Sequence, residues 1–111
     1  MKALTFHGIR SVRCETVPDP RIEAPGDAIL RVRMAGICGS DLHPYHGRER
    51  GLDPGTTMGH EYVGEVVEVG SGVRAFRPGD AVLGAFSTSC GACFYCRAGL
   101  TARCVAGQLF G

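Results

Sequence analysis

The sequence predicts a mainly β domain, barrel-like, with a metal-holding loop on one side. Three observations predict it. Glycine supplies 17 of 111 residues, and Pro18, Pro20, Pro25-Gly26, Pro54-Gly55 and Pro78-Gly79 cut the chain into segments too short for long helices. Between Asp27 and Ile37, Leu30, Val32 and Met34 alternate with Arg31 and Arg33, the period of two of a strand with one wet face. Four cysteines, Cys90, Cys93, Cys96 and Cys104, fall within one short stretch.

The elements follow in order. Leu4 and Phe6 suggest an opening strand, and Val12 to Val17 its hairpin partner across His7-Gly8-Ile9-Arg10-Ser11. Asp27 to Ile37 is the clearest strand. One short helix is expected from Gly39 to about Tyr45, with Ser40 or Asp41 near its start. Glu61 to Val69 is rich in β formers but does not alternate cleanly. Glu65 and Glu68 have opposite parity, which points to a bulge near Val66-Val67. Arg77-Pro78-Gly79-Asp80 reads as a turn, and Ala81 to Phe86 as the strand after it.

Composition narrows the function classes. Apolar residues make up 44% and charged residues 21%, ordinary for a globular domain, and the net charge of +1 favours neither nucleic acid nor an acidic surface as partner. No apolar run approaches the ~18 residues of a membrane span, and Met1 to His7 lacks a signal-peptide core. Six cysteines without an export signal read as thiols and metal ligands rather than disulfides, with the cytoplasm as the expected compartment.

The four-cysteine spacing is C-x2-C-x2-C-x7-C. It puts four soft thiolates on one loop, the donor set of a closed, structural zinc site. The bacterial ferredoxin run differs, since the last interval here is seven and Val105 rather than proline follows Cys104. A redox role for C-x-x-C lacks the βαβ surroundings it needs. A second constellation is Cys38-Gly39-Ser40-Asp41-Leu42-His43 with Gly59-His60-Glu61. A thiolate at one strand end and an imidazole opening the next strand are a reasonable pair of zinc ligands. Glu61 is a further ligand or a neighbour of one, and Asp41 is of the right type to hold the other ring N–H of His60. Ser40 and His43 are groups that pass protons. His7, His46 and Cys14 read as ordinary residues.

At these motifs the chain resembles the zinc-dependent medium-chain alcohol dehydrogenases. Gly59-His60-Glu61 through Gly70 resembles their zinc signature, Cys38 to His43 their first-ligand segment, Cys90 to Cys104 their structural-zinc lobe, and Arg77 to Asp80 their usual turn. The flavour is closest to formaldehyde-dehydrogenase-like and polyol-like members. The resemblance implies a GroES-like β-barrel over residues 1–111, and oxidation of alcohols or reduction of aldehydes and ketones with NAD or NADP. It also implies Cys38 and His60 as catalytic zinc ligands, Glu61 as a conditional ligand, and Ser40 and His43 as a proton relay. Small alcohols or aldehydes are then the partners, and a homo-oligomer is expected for the parent enzyme.

G-x-G-x-x-G, which would open a Rossmann domain, is not found in these 111 residues, nor is the third catalytic zinc ligand that the resemblance implies. The chain reads as an incomplete domain, cut beyond the four-cysteine lobe and short of its last strands. It is expected to bind zinc without turning over substrate on its own. The competing reading is a stand-alone, non-catalytic zinc-binding module.

Overall fold

The computed structural model describes residues 1–110. Strands β1 (Lys2–Gly8) and β2 (Ser11–Thr16) form the expected antiparallel hairpin. Its turn places Arg10 at φ +58°, a left-handed conformation that side chains rarely adopt. A hydrogen bond from Arg10 N–H to the Tyr45 carbonyl, 2.8 Å, holds it there. The other edge of β1 is also used. Gly55 N–H donates to Phe6 O at 2.7 Å, Phe6 N–H to Thr56 O at 2.9 Å, and Met58 N–H to Leu4 O at 2.9 Å. The extended stretch 55–58 therefore runs alongside β1 and leads directly to His60.

Strands β3 (Ala28–Ala35), β4 (Tyr62–Val69) and β5 (Ala81–Gly84) make a second, antiparallel sheet in the order β3-β4-β5. Ile29 faces Glu68 but Leu30 faces Val66, so Val67 is an extra residue, the bulge that the parity break announces. A second shift, between Val32 and Met34, leaves Arg33 as the extra residue. Its guanidinium reaches Glu65 at 2.6 Å, an ion pair across the strands. The turn before β5 is a type II β-turn in character. Pro78 takes the second position and Gly79, at φ +95°, the third. Asp80 N–H closes on Arg77 O at 3.1 Å, while Asp80 Oδ2 accepts from Arg77 N–H at 2.9 Å.

Helical structure is limited to single turns. A 3-10 turn at Gly39–Asp41 runs into α1 (Leu42–Tyr45). In the cysteine loop, α2 (Phe94–Arg97) is followed by a 3-10 turn at Thr101–Arg103. No helix among the described residues is long and apolar enough to cross a membrane.

Burial is sparse. Among the described residues, Thr5, Phe6, Pro44 and Val66 are the buried side chains. The radius of gyration is 15.4 Å, above the about 13 Å of a compact domain of this length. The alternation in β3 predicts Val32 and Met34 on one face, but the extra residue at Arg33 sets Val32, opposite Gly64, and Met34, opposite Val63, on opposite faces, and they are 55% and 71% exposed. Met34, Val63 and Leu83 stand in register across β3, β4 and β5, and no described element covers that row. The sheets do not close on one another, and β3 and β5 keep open outer edges among the described residues.

Candidate metal centres

The cysteine loop returns on itself. Ser87 bridges to Leu109, Thr88 N–H donates to Gln108 O at 2.8 Å, and Phe110 N–H to Phe86 O at 2.8 Å. Gly91, at φ +69°, lets the backbone curl between Cys90 and Cys93. One sulfur each from Cys90, Cys93, Cys96 and Cys104 then lies within 4.8 Å of the others. Zn–S bonds of about 2.3 Å in a tetrahedron put sulfurs about 3.8 Å apart, so the cluster fits one zinc with small adjustments.

Local electrostatics fit the same ion. Cys90 N–H points at Cys104 Sγ, 3.2 Å, and Cys93 N–H at Cys90 Sγ, 3.3 Å. Backbone N–H groups of Cys96 and Val105 pull the Cys93 thiol down to about 6. Those of Ala92 and Cys93 lower Cys90. Burial, then the neighbouring Cys93, pushes Cys96 up to about 12. Four sulfurs this close cannot all carry charge unaided, and a divalent cation removes that conflict.

The second cluster forms where both sheets converge. Cys38 stands three residues past β3. His60 stands two residues before β4, at the end of the stretch paired with β1. Cys38, His60 and Glu61 each offer a ligand atom within 4.8 Å of the other two. Asp41 contacts both Cys38 and His60. Its Oδ2 accepts from Cys38 N–H at 2.8 Å, and its Oδ1 lies 3.4 Å from His60 Nδ1. A proton on Nδ1 would face Asp41 and leave Nε2 for a metal. Ser40 Oγ sits 3.3 Å from His60 Nε2. The Cys38 thiol is lowered, first by hydrogen bonds from Ser40 and then by His60, so it gives up its proton readily. His60 is raised, chiefly by Cys38. A soft thiolate, an imidazole and a carboxylate are a zinc donor set of the open, catalytic kind.

These groups face a cleft of about 620 Å³, also lined by Pro44, Glu49, Leu52, Met58, Phe86, Leu109 and Phe110. Sequence reasoning missed those walls. Met58 alone carried a signal, since two residues before His60 on an extended segment lies on the same side. Leu109 and Phe110 arrive only through the returning cysteine loop. Of the expected site residues, the structure brings together Cys38, Ser40, Asp41, His60 and Glu61, and separately the four cysteines. His43 is exposed and does not line the cleft, and its carbonyl rather than its ring accepts from Arg48 N–H, 2.8 Å.

Comparison with known proteins gives the family. Residues 24–111 match the alcohol dehydrogenase GroES-like domain. The chain is 48% identical to zinc-type alcohol dehydrogenase B of Aspergillus flavus, over all of this chain and 26% of that protein. The alcohol dehydrogenase TADH from Thermus sp. ATN1 superposes with a TM-score of 0.92 at 46% identity, over all of this chain and 32% of that one. A zinc-binding dehydrogenase from Sinorhizobium meliloti 1021, bound to NADP, superposes with a TM-score of 0.72 at 38% identity, over 99% of this chain and 32% of that one. The chain thus spans about a quarter to a third of the length of these relatives. From its motifs, its sheets and these likenesses together, the chain belongs to the alcohol dehydrogenase GroES-like domain family, whose relatives here are zinc-type alcohol dehydrogenases.

Proposed function

We propose that this chain is the zinc-holding, substrate-side part of an oxidoreductase that interconverts an alcohol with its aldehyde or ketone, using NAD or NADP held by a further domain. The observation that carries the reading is the convergence of Cys38, His60 and Glu61 on one point of a mostly apolar cleft, with Ser40 beside them. Cys90, Cys93, Cys96 and Cys104 would hold a structural zinc. Cys38 and His60 would hold a catalytic one, with Glu61 as a third, conditional ligand. Zinc bound there supplies a Lewis acid that polarises a hydroxyl or carbonyl oxygen.

The chain's own residues do the rest. Asp41 fixes the tautomer and angle of His60. Leu52, Met58, Phe86 and Phe110 hold the carbon skeleton of a small substrate and keep water out. The Ser40 hydroxyl accepts the proton of a substrate hydroxyl and passes it on, and the exposed His43 imidazole is the group that hands it to solvent. NADP in a 38%-identical relative supports a dinucleotide partner.

Metal content per chain tests the proposal. Two zincs are expected, falling to one in Cys38→Ser. Only one in the unmodified protein would sink the catalytic centre. Zinc-dependent alcohol oxidation by these 111 residues without another domain would refute the division of labour.

A further inference from the structure

We infer that Gly36 is a positioning residue for the second metal centre: its missing side chain is the space in which the Glu61 carboxylate lies. The inference rests on the proposed metal site at Cys38, His60 and Glu61, and on a contact independent of it. A Cβ built on Gly36 would stand 2.6 Å from Glu61 Oε2 and 3.4 Å from Glu61 Cβ. The third of the three nearest atoms is Glu61 Cδ, 3.7 Å away, so all three belong to one side chain.

The backbone holds the two residues face to face. Gly36 N–H donates to Glu61 O at 2.9 Å, just beyond the last ladder pair of β3 and β4, Ala35 with Tyr62. Gly36 does not take a left-handed φ, unlike Gly8, Gly47 or Gly59. Conformation therefore does not require glycine here, and room for the carboxylate does. Glu61 is the cluster's exposed ligand and has no hydrogen-bonding partner for its carboxylate among those found for the described side chains. The space over Gly36 admits the carboxylate where it lies within 4.8 Å of the ligand atoms of Cys38 and His60. A methyl group at position 36 evicts the carboxylate, whereas a merely structural glycine would act the same whatever stood at position 61.

Cobalt(II) titration of the 111-residue chain separates these cases. Cobalt reports each site by its own absorption: a four-thiolate spectrum for the cysteine loop, and a one-thiolate spectrum, abolished by Cys38→Ser, for the second centre. In Gly36→Ala the second centre is expected to bind about 10- to 100-fold more weakly, the usual cost of disturbing a ligand's support. The four-thiolate spectrum should stay unchanged, which also shows that the variant is folded. In a Glu61→Ala background the added methyl should alter affinity by no more than about twofold, as expected once the coupled partner is gone. Unchanged or tighter binding in Gly36→Ala, or an equal loss with and without Glu61, overturns the inference. A wild-type chain that binds cobalt only at the four cysteines overturns it together with the proposed catalytic centre, and is told apart by the missing one-thiolate spectrum.

Discussion

Gly64→Ala tests how closely β3 and β4 are pressed together, and with them both ligand-bearing strand ends. Gly64 is buried in the central strand, opposite Val32 on one side and Val82 on the other. A Cβ there would stand 2.7 Å from the Arg31 carbonyl oxygen and 3.4 Å from Val32 Cα. The obstacle is backbone, which cannot rotate away, so the strands must part by several tenths of an ångström. Overpacking of this kind costs about 1–3 kcal/mol. Replacing glycine in a strand returns about 0.5–1 kcal/mol of chain entropy. The net expectation is a loss of about 1 kcal/mol, or roughly 4–8 °C in Tm for a domain near this size. Parting the strands also separates Cys38 from His60, so cobalt affinity at that centre should fall while the four-cysteine site holds. Urea and thermal unfolding measure the first effect. Gly26→Ala is the control: nothing lies within 4 Å of its Cβ, and a change within about 0.5 kcal/mol is expected there. A Gly64→Ala variant as stable as the unmodified protein would refute the packing argument.

Asp41→Asn keeps the shape of the brace but weakens its hold on His60 Nδ1–H, and should cost about 10- to 100-fold in metal affinity at the second centre, read by competition with a chelator. Cys96→Ser removes one of the four gathered sulfurs. It should drop one zinc per chain and raise amide exchange between Thr88 and Gln108, whose pairing closes the lobe. Acid should weaken the hairpin. The buried Thr5 hydroxyl donates to Glu15, with His7 alongside, and the two hold the Glu15 carboxyl below its usual 4.5. The stability this gives is present above pH 4.5 and is lost as pH falls through the lower folded-state value. Thr5→Val should flatten that acid limb in urea midpoints measured across pH; an unchanged limb would mean that Glu15 is not its source. Leu83→Lys, in the exposed Met34–Val63–Leu83 row, should reduce light scattering at high protein concentration if that row promotes association.

What the sequence made legible, and what it hid, divides along one physical line. Motifs that carry their own geometry could be read. Arg77-Pro78-Gly79-Asp80 specifies its turn through a fixed proline φ and a glycine that accepts a positive one. The opposite parity of Glu65 and Glu68 announced the extra residue at Val67. The cysteine spacing announced a loop that gathers four sulfurs. What depends on partners far along the chain was hidden. Val32 and Met34 alternate as residues of one face do, yet the extra residue between them sends Met34 to the face opposite Val32, beside Val63. The second bulge, at Arg33, leaves no parity break, since the arginine also satisfies the wet face and finds Glu65 across the strand. The cleft walls Leu109 and Phe110 reach Cys38 and His60 only because the cysteine loop closes on Thr88. That closure links the two centres mechanically. A metal bound among the four cysteines would hold the wall of the cleft beside Cys38 and His60, so stripping the loop should open the cleft without touching either residue.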